Sequence, residues 1–172
     1  QAVSDIVASA FQSAGQRCSA LRVLYLQEDV ADAFLEMLFG AMDELVIGNP
    51  WHANTDIGPL INASAKSGIE AHVNPFGQAG RVLKHMPFPA GGYFVPPCVL
   101  QINGIGDLKE EIFGPVLHVA RFKSDELDQV IADINASGFG LTFGIHTRID
   151  DRVTDVTRKL KVGNIYVNRN QI

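Results

Sequence analysis

The most reactive side chain that this sequence could display is the thiol of Cys18, in Phe11-Gln12-Ser13-Ala14-Gly15-Gln16-Arg17-Cys18-Ser19-Ala20. A thiolate attacks electrophilic carbon, and a neighbouring cation such as Arg17 favours that ionised form. Gly15 stands where a helix must end and the chain must turn. Cys18 is therefore expected on a tight connection, where backbone N–H groups can converge on a developing oxyanion. The plain alternative for a lone cysteine is a small buried hydrophobe. Cys98, beside Pro96 and Pro97 and ahead of an apolar run, has only that structural reading.

A second candidate is the carboxylate pair Glu110-Glu111 in Lys109-Glu110-Glu111-Ile112-Phe113-Gly114-Pro115. A pair of this kind usually sits in a solvated turn. Here it leads straight into an apolar strand, and Gly114-Pro115 restricts the backbone, so one carboxylate could be held as an acceptor for two ligand hydroxyls. Ser19 and Asn168-Arg169-Asn170 are polar groups near strand ends, where open parallel sheets bind ligands; taken alone, ordinary loop solvation is the favoured reading of each.

The elements that must hold these groups follow from periodicity. Val3, Ile6, Val7, Ala10 and Phe11 mark one face of a helix ahead of the turn, and Leu21 to Leu26 reads as the strand after it. Asp29 to Leu45 is a second amphipathic helix, with Asp29 and Asp32 in its first turn. Gly48-Asn49-Pro50 and Asn54 to Pro59 have loop composition, without obvious chemistry. Ala63 to Gly80 begins as a helix that Pro75 and Gly77 are expected to interrupt. Arg81 to Lys84 is a short strand, and the prolines near Cys98 confine the run after Gly91-Gly92 to an edge or irregular strand. Val116 to Ala120 reads as a strand buried on both faces. Ser124 is expected to cap a helix carrying Leu127, Val130, Ile131 and Ile134. Leu141 to Thr147 is a strand, Asp150 to Leu160 a helix, and Asn164 to Asn168 a final strand. This alternation predicts an α/β fold: an open, mostly parallel, twisted sheet with flanking helices.

Composition excludes several classes of function. The 172 residues are 47% hydrophobic with a mean hydropathy of +0.10, enough for one packed domain and against disorder. A net charge of −5 and a pI near 5.4 leave no basic footprint for nucleic acid or anionic lipid. No segment has the apolar length of a membrane span, and no secretory signal opens the chain. Two distant cysteines make no disulfide framework, so a reducing, cytoplasmic setting is expected. The five histidines are spread singly, which predicts no metal site.

Several stretches together resemble the aldehyde dehydrogenase superfamily over nearly the whole chain. Gly15-Gln16-Arg17-Cys18 resembles its nucleophile motif and Glu111-Ile112-Phe113-Gly114-Pro115 its second signature. Gly48-Asn49-Pro50 with Gly58-Pro59, Gly92-Tyr93-Phe94, Phe139-Gly140-Leu141-Thr142 and Gly163-Asn164 follow in the family's order. Arg17 to Arg22 and Tyr166 to Gln171 are most similar to the branch that oxidises L-glutamate γ-semialdehyde, formed from Δ1-pyrroline-5-carboxylate in proline catabolism. The resemblance implies that Cys18 attacks the aldehyde, that Glu111 binds the nicotinamide ribose of NAD with Phe113 packed nearby, and that Ser19 helps bind the substrate's carboxylate. It implies that residues 1–172 are the nucleophile-bearing catalytic domain, cut at both ends, with the NAD-binding domain absent and little activity alone. Expected partners are the aldehyde substrate, the rest of a parent polypeptide that includes a proline dehydrogenase flavin domain, and further copies in a homo-oligomer. The rival readings are another aldehyde as substrate, a cysteine-dependent acyl-transferase or hydrolase with a histidine partner, or a binding domain with an inert thiol.

Overall fold

The computed structural model describes residues 1–172. Helix α1 (Ala2–Phe11) buries Ile6, Ala10 and Phe11, and the chain then reverses through Gln12–Gly15. Ser13, Ala14 and Gly15 all have positive φ there, at 55°, 53° and 63°. Only glycine accepts this region freely, so the turn is held by its surroundings rather than by the preferences of Ser13 and Ala14. Strand β1 (Val23–Gln27) and helix α2 (Glu28–Asp43) follow, with Glu28 and Asp29 at the positive end of the helix dipole.

Helix α3 (Ala63–Gln78) is continuous, so Pro75 and Gly77 do not interrupt it. Pro75 lies in the final turns, where the loss of one N–H is tolerated, and the chain leaves the helix only at Gly80, with φ +67°. Asn62 caps the start, its side chain accepting from Ala65 N at 2.8 Å.

Strands β2 (Val82–His85), β3 (Cys98–Gln101) and β4 (Val116–Phe122) join β1 in a sheet of order β1-β4-β3-β2. β1, β4 and β3 run parallel, while β2 is antiparallel to β3. The proline-flanked run therefore forms an interior strand, not an edge. Pro96 and Pro97 precede the ladder, so neither removes a donor from it. Residues 116–120 are buried throughout, as expected of a near-continuous apolar run that only His118 interrupts.

Helix α4 (Leu127–Ala136) is preceded by Glu126, not by a capping Ser124; the Glu126 carboxylate instead accepts from Lys123 N at 2.8 Å. Strands β5 (Thr142–Ile145) and β6 (Asn164–Val167) pair in parallel around helix α5 (Asp150–Lys159) and form a separate two-stranded sheet. The main core gathers α1, α2 and α3 around the four-stranded sheet. A smaller core of Val130, Ile131, Ile134, Val156 and Leu160 sits under β5 and β6. Between β1 and β5 lies a cleft of about 660 Å³. No helix is long and apolar enough to cross a membrane, and no group of histidine, cysteine and carboxylate side chains could hold a metal ion.

Candidate active site

The site is assembled from motif pairs distant in sequence. Gly15 stands against the backbone of Gly114: a Cβ there would lie 2.6 Å from the Gly114 carbonyl carbon and overlap its oxygen. On the other side of Gly114, a Cβ would overlap Ile69 of α3. The nucleophile motif and the second signature thus meet at two glycines, because no side chain fits between their backbones. Gly48 N donates to Ile57 O at 3.0 Å, and Leu60 N donates to Tyr93 O at 2.9 Å, so two further motifs fold onto each other. Gly163 N donates to Gly140 O at 2.8 Å and Asn164 N to Leu141 O at 3.0 Å, closing another pair.

Cys18 is exposed on the turn, lines the cleft, and accepts or donates no side-chain hydrogen bond. Its backbone N–H donates to no group of the chain, whereas the neighbouring Ala20 N–H is used by Arg17 O at 3.1 Å. No histidine is hydrogen-bonded to Cys18. Cys98 is fully buried in β3, and burial pushes its thiol up to about 12, which makes it inert.

Glu111 lines the same cleft as Cys18. One carboxylate oxygen accepts from Arg22 Nε at 3.1 Å, and the other makes no hydrogen bond within the chain. The aromatic ring of Phe113 is 46% exposed, with the Arg22 guanidinium 4.8 Å from its centre. Ser19 and Phe113 stand beside the cleft rather than in its lining. Ser19 is half-buried, and its carbonyl accepts from Thr142 Oγ1 at 3.5 Å. Glu110 is exposed, and its charge opposes the lowering of the His72 pKa by burial.

Arg17, the cation expected beside Cys18, turns away to Gln12 Oε1 at 3.5 Å. The guanidinium at the turn belongs to Arg22. Burial lowers its pKa, while its hydrogen bond and ion pair with Glu111 act the other way, as does Cys18. Asn168-Arg169-Asn170 is also more than solvated loop. Asn168 brackets Thr147 with two hydrogen bonds and joins the ends of β5 and β6, and Arg169 covers Tyr166.

A histidine pair, His118 buried and His72 half-buried, backs the site. His118 Nδ1 lies 2.9 Å from Arg22 O, and His118 Nε2 lies 2.8 Å from His72 Nε2. A carbonyl only accepts, so Nδ1 carries the proton and Nε2 accepts from His72 Nε2–H. Burial brings His118 down to about 4 and lowers His72 as well.

Sequence and structure comparisons relate the chain to known proteins. A sequence model described as "Aldehyde dehydrogenase family" matches residues 1–172. The chain is 52% identical over 180 residues to "Bifunctional protein PutA" of Klebsiella aerogenes, covering 100% of this chain and 14% of the relative. It is 30% identical over 171 residues to the 3-sulfolactaldehyde dehydrogenase of Priestia megaterium, covering 98% of this chain and 35% of that one. A crystal structure of bifunctional proline utilization A superposes with a TM-score of 0.95 at 47% identity, over 99% of this chain and 17% of the other. Escherichia coli lactaldehyde dehydrogenase superposes with a TM-score of 0.89 at 35% identity, over 99% and 36%. The chain spans about a seventh of the length of the PutA relatives that it matches.

Proposed function

The chain belongs to the aldehyde dehydrogenase family, and from that premise we propose that it supplies the nucleophile for oxidising L-glutamate γ-semialdehyde to L-glutamate in proline catabolism. The observation that carries this reading is the exposed Cys18 turn sharing one cleft with the Glu111 carboxylate. The resemblance of the PutA relatives over the whole chain supports the choice of substrate.

Cys18 Sγ, as thiolate, adds to the aldehyde carbon; a C–S bond forms and the carbonyl electron pair moves to oxygen. The Cys18 N–H has no partner within the chain and is available to donate to that oxyanion. The cofactor's residues fit their role as acceptor and packing surface. Glu111 keeps one carboxylate oxygen free for ribose hydroxyls, and Phe113 offers an uncovered ring face. NAD, when bound there, supplies the acceptor that takes the carbon from the aldehyde to the acid level. The Cys18 thioester that results is released by water, which restores the thiol. Ser19, next to the nucleophile, holds the substrate's α-carboxylate. The turnover is assigned to the assembled polypeptide, in which this domain works beside an NAD-binding domain and a proline dehydrogenase flavin domain.

The intact protein, assayed with pyrroline-5-carboxylate and with succinate semialdehyde, should prefer the former, and Cys18→Ala should reduce turnover at least about a thousandfold. Retained activity in Cys18→Ala would refute the assignment of the nucleophile; preference for succinate semialdehyde would refute the substrate.

A further inference from the structure

Arg22 lies just before β1, with its backbone anchored and its side chain spread over two segments. Its carbonyl accepts from both His118 N and His118 Nδ1, each at 2.9 Å. Its guanidinium donates from all three nitrogens: Nε to Glu111 Oε1 at 3.1 Å, Nη1 to Gly15 O at 2.5 Å and Nη2 to Arg17 O at 2.8 Å. It also lies against the ring of Phe113. The side chain is only 12% exposed.

These partners fall into two groups. The Gly15 and Arg17 carbonyls bracket the turn that displays Cys18; Glu111 and Phe113 belong to the segment that would hold the cofactor. Gly15 and Gly114 already bring the two segments into backbone contact, but a contact between glycines does not orient the carboxylate. The planar fork of a guanidinium does, because it fixes three acceptors in one plane, and a lysine ammonium has no such geometry. No other cation pairs with Glu111.

We propose that Arg22 is a positioning residue that sets the Cys18 turn and the Glu111 carboxylate relative to each other, so that the presentation of the thiol and the grip on the nicotinamide cofactor are coupled. This rests on the roles given above to Cys18 and Glu111.

The test compares Arg22→Lys, Arg22→Met and Glu111→Gln in the intact protein. Three quantities are read: the thermal transition, the rate at which iodoacetamide alkylates Cys18 without cofactor, and the NAD dissociation constant by calorimetry. Each single variant should change the alkylation rate by about threefold or more, including Glu111→Gln, whose side chain pairs with Arg22 rather than with the sulfur. Arg22→Met should weaken NAD about tenfold, the loss expected for a hydrogen bond to a charged group. Added to Glu111→Gln it should weaken NAD little further, because both act through one pair. Arg22→Lys should restore the thermal transition without restoring the alkylation rate. A lowered thermal transition with unchanged alkylation and NAD binding would leave Arg22 a folding role only and overturn the proposal. Should Arg22→Met not fold, an unchanged alkylation rate in Glu111→Gln overturns it by itself. Failure of the unaltered protein to oxidise any aldehyde would defeat the functional reading but not this coupling, since alkylation needs no turnover.

Discussion

Gly15 and Gly114 touch backbone to backbone, with ninety-odd residues of chain between them and Ile69 packed behind Gly114. Gly15 also has φ +63°, so two independent constraints fall on one residue. Gly15→Ala must adopt a left-handed conformation and push the Gly114 carbonyl aside, at a cost of about 2–4 kcal/mol. Gly40, exposed in α2 with nothing within 4 Å of its would-be Cβ, provides the contrast. Gly40→Ala should add about 0.5–1 kcal/mol through helix propensity. Denaturant titration of the two variants should give changes of opposite sign.

Stability should fall in acid because of His118. Its pKa is about 4 in the folded chain, below the ordinary 6.5, so the unfolded chain binds the proton first. Its contribution is complete above about pH 6.5, fades as the pH falls toward 4, and amounts to roughly 3 kcal/mol. His72, lowered by burial with Glu110 opposing, adds in the same direction. Protonated His118 would also present a second donor to His72 Nε2. Urea titrations between pH 7 and 4.5 should show the decline, with a smaller slope in His118→Asn; equal slopes would show that the imidazole is not responsible.

Pro75 leaves the Ala71 carbonyl in α3 without its helical donor, and it is exposed. Pro75→Ala restores that hydrogen bond but also gives the unfolded chain more freedom. The first effect is larger inside a helix, so a net gain of about 1 kcal/mol is expected by denaturant titration.

The elements were legible wherever one face is apolar at a regular period, as in α1, α2 and α4, or where a short run is apolar on both faces, as in β4. Cys18 and Glu111 were legible as chemistry, and the fold places both on one cleft. Four features were not legible, and the last two depend on long-range partners. α3 runs through Pro75 because a proline late in a helix loses only one bond, which local propensity overstates. β3 became an interior strand because its prolines end where the ladder starts. Arg22 carries no local signal of its role, because its partner Glu111 lies 89 residues away. His72 and His118 lie 46 residues apart, on a helix and a strand whose packing no spacing rule predicts.

The contrast between the two sulfurs makes the molecule its own reporter. Cys98 is sealed at the centre of the sheet while Cys18 stands open. A maleimide dye should therefore mark one thiol on the native chain, and incorporation of a second should follow the opening of β3 from its neighbours. Counting labels over time would then measure how often the middle of the sheet comes apart, without any assay of turnover.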